Sequence, residues 1–340
     1  MLIKRKKIPV KEIILIGFLP SFLKKIIYRI KGYKIGKNVS FSFGSIIIGK
    51  NVIIGDNSKF GLVSVIRANK IEIGRFVTIG ALSMLDTETI IIDDDSRINE
   101  NVIVGGIKTP ESLLKVGKRV IIMEYSFINP TKPIIIGDDS GIGGHCLLFT
   151  HGSWLNQLDG YPVTFSSIII GERVWLPWRA FIMPGVTIGN DVVIQANSMV
   201  TSNIPSNVVA AGSPAVIKVR NFPKKISDKR RKKLINNIFI EFENYLKHNG
   251  FQINSVKKEG ILISIYGKQS SEVYYEEINT NYKFYYTDHL LVLNSDICIS
   301  KLHYKMIINF YTKKRKGSSE IGEEFVKFIS RFGIRFDRLD

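Results

Sequence analysis

Two histidines precede residue 248, His145 and His151, and they stand six residues apart. An imidazole titrates near neutrality and can take a proton from a hydroxyl or amine as that group attacks an electrophile. An alcohol is a poor nucleophile until a base removes its proton, and a positioned base contributes about 10²–10⁴-fold. His151 is the stronger candidate. It lies directly before Gly152 to Ser167, a stretch that interrupts an otherwise regular pattern and supplies Asp159 as a possible contact to a substrate hydroxyl. His145 occupies an outward position on the same face and reads as a substrate contact or a surface residue. Further on, Trp178 and Arg179 pair an aromatic wall with a guanidinium suited to a phosphate. No metal is expected. The cysteines are Cys146 and Cys298, too few for a four-ligand site, and no histidine precedes His145 to complete a three-ligand zinc site.

The elements that must position these residues come from a period of six. I-G-K-N-V-S begins at Ile35, I-G-K-N-V-I at Ile48, I-G-D-N-S-K at Ile54 and I-G-R-F-V-T at Ile73. The series continues at Val116, Ile136, Ile142, Ile170, Ile188 and Ile194. An aliphatic first residue points into a prism-shaped core, the glycine permits a close turn, and a small or β-branched fifth residue fits beside the stack. Each coil buries its face against the next, so many coils are needed. The pattern predicts a mainly β protein, a left-handed parallel β-helix over 35–221, broken at Lys108 to Leu114 and at the loop 152–167.

The flanks differ. Residues 1–34 read as a basic helical cap, with Pro20 dividing it and Leu23, Ile26, Ile27 and Ile30 spaced as one helix face. Residues 222–340 read as a small α+β domain of unknown role. A helix is expected over Ser227 to His248, with Leu234, Ile238, Phe242 and Tyr245 on one face. Strands are expected at Ile261 to Tyr266, Tyr282 to Tyr286, Leu290 to Leu293 and Met306 to Tyr311, and a second helix at Glu323 to Phe332.

Three further runs carry a family resemblance: P-G-V-T-I-G from Pro184, I-Q-A-N-S-M-V-T-S-N-I-P from Ile194 and A-A-G-S-P-A from Ala210. Together they resemble the closing coil of the hexapeptide-repeat acyltransferases, in particular the maltose, galactoside and surface-polysaccharide O-acetyltransferase branch. The resemblance implies a homotrimer, acetyl-CoA as donor, and a sugar or glycan acceptor whose hydroxyl is activated by a histidine just before a loop, here His151. It implies pantetheine contacts at Ala196 and Thr201 and an acceptor contact near Asn129. Two departures stand out. V-W-L-P-W-R places Pro177 and Trp178 where the family has a glycine and a small residue, which would put Trp178 and Arg179 on the cofactor groove. Val216 and Val219 stand where basic residues usually meet the CoA phosphates, with Lys218 and Arg220 displaced by one. The alternatives are N-acetylation of a nucleotide-linked amino sugar and a non-catalytic trimeric scaffold.

The net charge of +18 favours anionic partners. No nucleic-acid motif accompanies it, so specific nucleic-acid binding is not expected. Clusters at Lys4 to Lys7 and Lys24 to Lys34 suit an anionic membrane surface. The uncharged run from Ile13 to Leu23 is shorter than the ~20 apolar residues of a spanning helix. A cytoplasmic protein, peripheral at the inner face of the membrane, is the expectation.

Overall fold

The computed structural model describes residues 9–152, 155–250, 252–257, 260–266, 271–276, 290–293 and 306–339. They divide into two compact units between Lys224 and Lys225.

The first unit is a parallel β-helix with three faces of eight, ten and eight strands. The registers put the hexad's first residues in continuous columns. Ile54, Ile73, Ile92, Val116, Ile136, Ile170 and Ile188 succeed one another on the first face. Ile66, Leu85, Val104, Ile128, Leu148, Ile182 and Val200 do so on the third. All of these are buried. The coils stack so closely that a Cβ on Gly55 would lie 2.6 Å from the backbone of Gly74. That approach explains why the second hexad position is so often glycine.

The small fifth residues alternate between aliphatic and serine. Ser58 donates to the Gly74 carbonyl at 2.8 Å and accepts from the Val77 amide at 3.2 Å. Ser96 and Ser140 repeat the arrangement one and two pairs of coils later. Each hydroxyl satisfies a corner carbonyl and amide that coil stacking alone leaves unpaired. The second face ends in a hairpin, Val208–Gly212 against Ala215–Arg220, with a register shift at Val209/Ala210.

At the N-terminal end, helix α1 (Ser21–Ile30) closes the barrel. The first coil has an edge of unpaired backbone groups, and the helix supplies partners for them. Lys24 Nζ donates to the carbonyls of Ser42 (2.7 Å) and Ser45 (3.0 Å). The Tyr28 hydroxyl accepts from the Ile47 amide at 2.9 Å, and the Ser21 hydroxyl from the Phe41 amide at 3.0 Å. Of the face expected from the 3.6-residue spacing, Leu23 and Ile27 are half-buried, and Ile27 packs against the core. Lys24 and Tyr28 are fully buried, whereas Ile26 and Ile30 are exposed. Backbone satisfaction at the barrel mouth decided the helix's orientation.

The second unit contains α2 (Asp228–His248), α3 (Glu320–Ser330) and a seven-stranded mixed sheet. Ser227 caps α2 through the Arg230 amide. The buried face of α2 is Ile235, Ile238, Phe239, Phe242 and Leu246, packed with Phe325 and Phe328 of α3. Leu234 is exposed, so the face lies about one residue round from the expected set. The expected strand at Tyr282 to Tyr286 lies outside the described residues. The sheet also has strands at Gln252–Lys257, Ser271–Glu276, Lys314–Gly317 and Asp337–Arg338, which alternation did not distinguish.

Candidate active site

The two interruptions of the β-helix both leave from the edge where the third face turns into the first. At the second, His151–Gly152 pairs antiparallel with Thr164–Phe165, so the loop departs and returns as a narrow arm. Its base is fixed by the Ser166 amide, which donates to the Thr150 carbonyl at 2.9 Å. His151 therefore sits on a paired strand end, although the chain beyond it belongs to a loop.

The imidazole stacks on Phe165 with centroids 5.4 Å apart and planes within 9°. Nδ1 is sealed from solvent and makes no hydrogen bond among the described residues. Burial lowers the pKa of His151 below its ordinary value, because a partly dry site disfavours the imidazolium. The neutral ring, the form that can accept a proton, is thus favoured. The sequence marks Phe165 only as an aromatic at the point where the excursion rejoins the coil. Phe165→Ala should admit water to the ring and raise the pKa of His151 toward about 6.5. The rising limb of kcat/KM against pH should move upward by the same shift. Phe165→Tyr should keep the original midpoint.

Register places the remaining candidates. On the edge that carries His151, Phe149 follows Asn129, and Gly105, Asp86 and Arg67 lie in the coils before it. Asn129 is buried. Its Oδ1 accepts from the Thr131 hydroxyl at 2.8 Å, and its carbonyl accepts from the Thr150 hydroxyl at 2.7 Å. The resemblance implied an acceptor contact near this residue; the structure shows its side chain buried in the wall, where its carbonyl ties two coils together. Thr201 lies beyond the third-face strand Met199–Val200 and is exposed. Asp159 is exposed in the arm, where its carboxylate accepts from Asn156 Nδ2 at 2.9 Å.

The opposite edge of the third face carries a different group. Tyr125, His145 and Trp178 form an exposed ladder, with His145 stacked on Tyr125 at 5.1 Å and tilted against Trp178 at 5.6 Å. The Trp178 ring lies across Gly144, where any Cβ would collide with it. Ala196 stands one coil beyond Trp178, since the Asn197 amide donates to the Trp178 carbonyl. Arg179 and His145 both occupy the left-handed turn position, with φ of 60° and 56°. Lys218 and Arg220 lie exposed on the terminal hairpin. The strand Leu147–Phe149 and the turns at its two ends separate His145 from His151, a reach of at most about 20 Å at ~3.3 Å per residue. One protomer therefore does not bring the aromatic edge and the histidine edge together.

A cluster that the sequence did not announce lies on the histidine edge, about 14 Å below Phe149 at ~4.8 Å per coil. Asp86 is bridged by Arg67 and by Lys108, which reaches back from the first excursion. Burial alone would raise its carboxyl pKa; hydrogen bonds from Arg67 and Lys108 outweigh that and hold it below the ordinary value.

Residues 167–202 match the family model described as the hexapeptide repeat of succinyl-transferase. The putative lipopolysaccharide biosynthesis O-acetyl transferase WbbJ of Escherichia coli is 34% identical over 122 residues, covering 32% of this chain and 62% of that protein. The putative colanic acid biosynthesis acetyltransferase WcaF of the same organism is 32% identical over 122 residues, covering 30% of this chain and 67% of that protein. Among solved structures, the polySia-specific acetyltransferase NeuO is 21% identical with a TM-score of 0.38, over 58% of this chain and 90% of that one. A likeness of that degree carries nothing about activity. A left-handed parallel β-helix with these repeats defines the class, and the chain belongs to the hexapeptide-repeat acyltransferase family. The match spans about three fifths to two thirds of the two curated relatives and lies within less than a third of this chain.

Proposed function

We propose that the protein transfers an acetyl group from acetyl-CoA to a hydroxyl of a sugar or surface-polysaccharide precursor, with His151 as general base. The observation that carries this reading is His151 itself: a half-buried imidazole, biased to its neutral form, fixed at the foot of an arm on a β-helix edge. The two curated relatives named above carry the descriptions lipopolysaccharide biosynthesis O-acetyl transferase and colanic acid biosynthesis acetyltransferase, each as putative.

The chemistry balances within the donor and acceptor. With Nδ1 sealed, Nε2 takes the proton of the acceptor hydroxyl as its oxygen attacks the thioester carbonyl. The C–O bond forms and the carbonyl oxygen becomes an oxyanion, which backbone amides of a coil wall can stabilise. The C–S bond then breaks, and the imidazolium returns the proton to the leaving CoA thiolate.

The working site forms between copies of the chain in a homotrimer. The edge bearing Trp178, Arg179 and Ala196 lies across the third face from His151, so one copy's aromatic edge would meet a neighbour's histidine edge. The arm supports this reading, since Leu155, Leu158 and Tyr161 all stand exposed on it, apolar side chains that gain by being covered. Trp178, Arg179, Ala196 and Thr201 would line the acetyl-CoA groove. Lys218 and Arg220 would supply charge toward its phosphates.

Incubation with acetyl-CoA and a panel of hydroxyl and amino sugars, read by mass, tests the reaction. Addition of one acetyl group to a hydroxyl sugar is the expected outcome, and exclusive acetylation of amino sugars would replace the proposed acceptor class. Calorimetry tests the donor. Acetyl-CoA should bind, and Trp178→Ala should weaken binding by about 1–2 kcal/mol if the indole covers the pantetheine arm.

A further inference from the structure

Helix α1 buries polar side chains and leaves large apolar ones in water. Its polar face, Ser21, Lys24 and Tyr28, is consumed in pairing with the backbone of the first coil. Its outward face is apolar: Phe22, Ile26 and Ile30 are 59%, 49% and 81% exposed at i, i+4 and i+8. The segment before it continues the same character, with Ile14, Leu15 and Phe18 exposed, and Phe18 against the exposed Phe43 at 4.7 Å. Capping the coil explains the buried lysine. It does not require six large apolar side chains in water within seventeen residues of chain, and exposed apolar surface so concentrated marks an interaction surface.

The charges around the patch identify its occupant. Lys11, Lys25, Arg29, Lys31 and Lys34 flank or follow the apolar stripe, and Glu12 is the one acidic residue between Pro9 and Lys50. Lys4, Arg5, Lys6 and Lys7 precede it in sequence. A second copy of this chain would set like charge against like. An anionic bilayer satisfies both features, taking the apolar stripe into the acyl boundary and the cations among its headgroups. Among the described residues no helix is long and apolar enough to cross a membrane. We propose that the N-terminal end of the β-helix docks on an anionic lipid bilayer through Phe22, Ile26 and Ile30, joined by Ile14, Leu15 and Phe18 of the preceding segment. The lipid would be met in the plane of the membrane. The proposal does not depend on the acetyl-transfer reading.

The test is co-sedimentation of the full chain with vesicles of phosphatidylcholine alone and of phosphatidylcholine mixed with phosphatidylglycerol, at physiological salt. The wild type is expected to bind the mixed vesicles and not the neutral ones. Phe22→Ser, Ile26→Ser and Ile30→Ser together should lower partitioning about tenfold or more, with helical content and oligomeric state unchanged. Ile30→Ser alone, at the most exposed position, guards against misfolding of the triple variant and should give a smaller loss in the same direction. Absence of wild-type binding to mixed vesicles overturns the proposal, as does equal binding by the variants. A variant that loses oligomeric state without losing lipid binding shows instead that the patch joins copies of the chain.

Discussion

Replacing His151 with alanine is expected to lower kcat by about 10²–10⁴-fold while leaving acetyl-CoA affinity within a factor of about two. The size follows from the step removed. Without a base at Nε2, the acceptor hydroxyl must lose its proton to water as it attacks. The donor groove is assigned to other side chains, so binding should survive. His151→Gln separates base loss from packing loss, because a planar amide can still lie against Phe165 but cannot accept the proton at neutral pH. Both variants should be similarly slow. In the wild type, kcat/KM should rise with pH to a plateau, since the active form is the deprotonated one. Its midpoint should lie below the ordinary histidine value, because burial lowers the pKa of His151. Retention of full turnover in His151→Ala would remove the mechanism.

The second large effect concerns stability. Leu148→Ala should cost about 2–5 kcal/mol, read by denaturant unfolding at a fixed protomer concentration. Leu148 is fully buried between Ile128 and Ile182 in the column of the third face. Coils above and below are held by hydrogen bonds and by their own columns, so they cannot collapse to fill the void, and the cost should fall toward the upper end. Because each coil contacts only its neighbours, the weakness should be local as well as global. His151 lies three residues downstream, so hydrogen exchange should show faster opening of the Thr150–Phe165 segment than of coils near Ile73. A cost below about 1 kcal/mol would mean that the column is not the source of stability at this coil.

What could be read from the sequence has a common physical basis. The β-helix was legible because its period is short and its rule local: each hexad carries its own inward aliphatic residue and its own close-packed glycine. Gly55, Ile54 and Ser58 already contain the instruction for their coil. The placement of His151 before an excursion was legible for the same reason, since a break in a regular period marks where the chain must leave the wall.

The remaining features depend on partners distant in the chain. Nothing local says that Lys24 will be buried and Ile30 exposed. That outcome follows from the carbonyls of Ser42 and Ser45 at the mouth of the first coil, about twenty residues on. Asn129 reads as a polar contact in isolation and becomes a wall residue only when Thr131 and Thr150 close around it. The partial burial of His151 depends on Phe165 returning across the arm. The separation of Trp178 from His151 depends on which edge of the third face each turn occupies, which is settled by coil register. The sequence alone determined the coils, because their energetics is a sum of neighbouring terms. The tertiary structure decided which side chains face water, because that depends on backbone groups and rings that meet only once the coils are stacked.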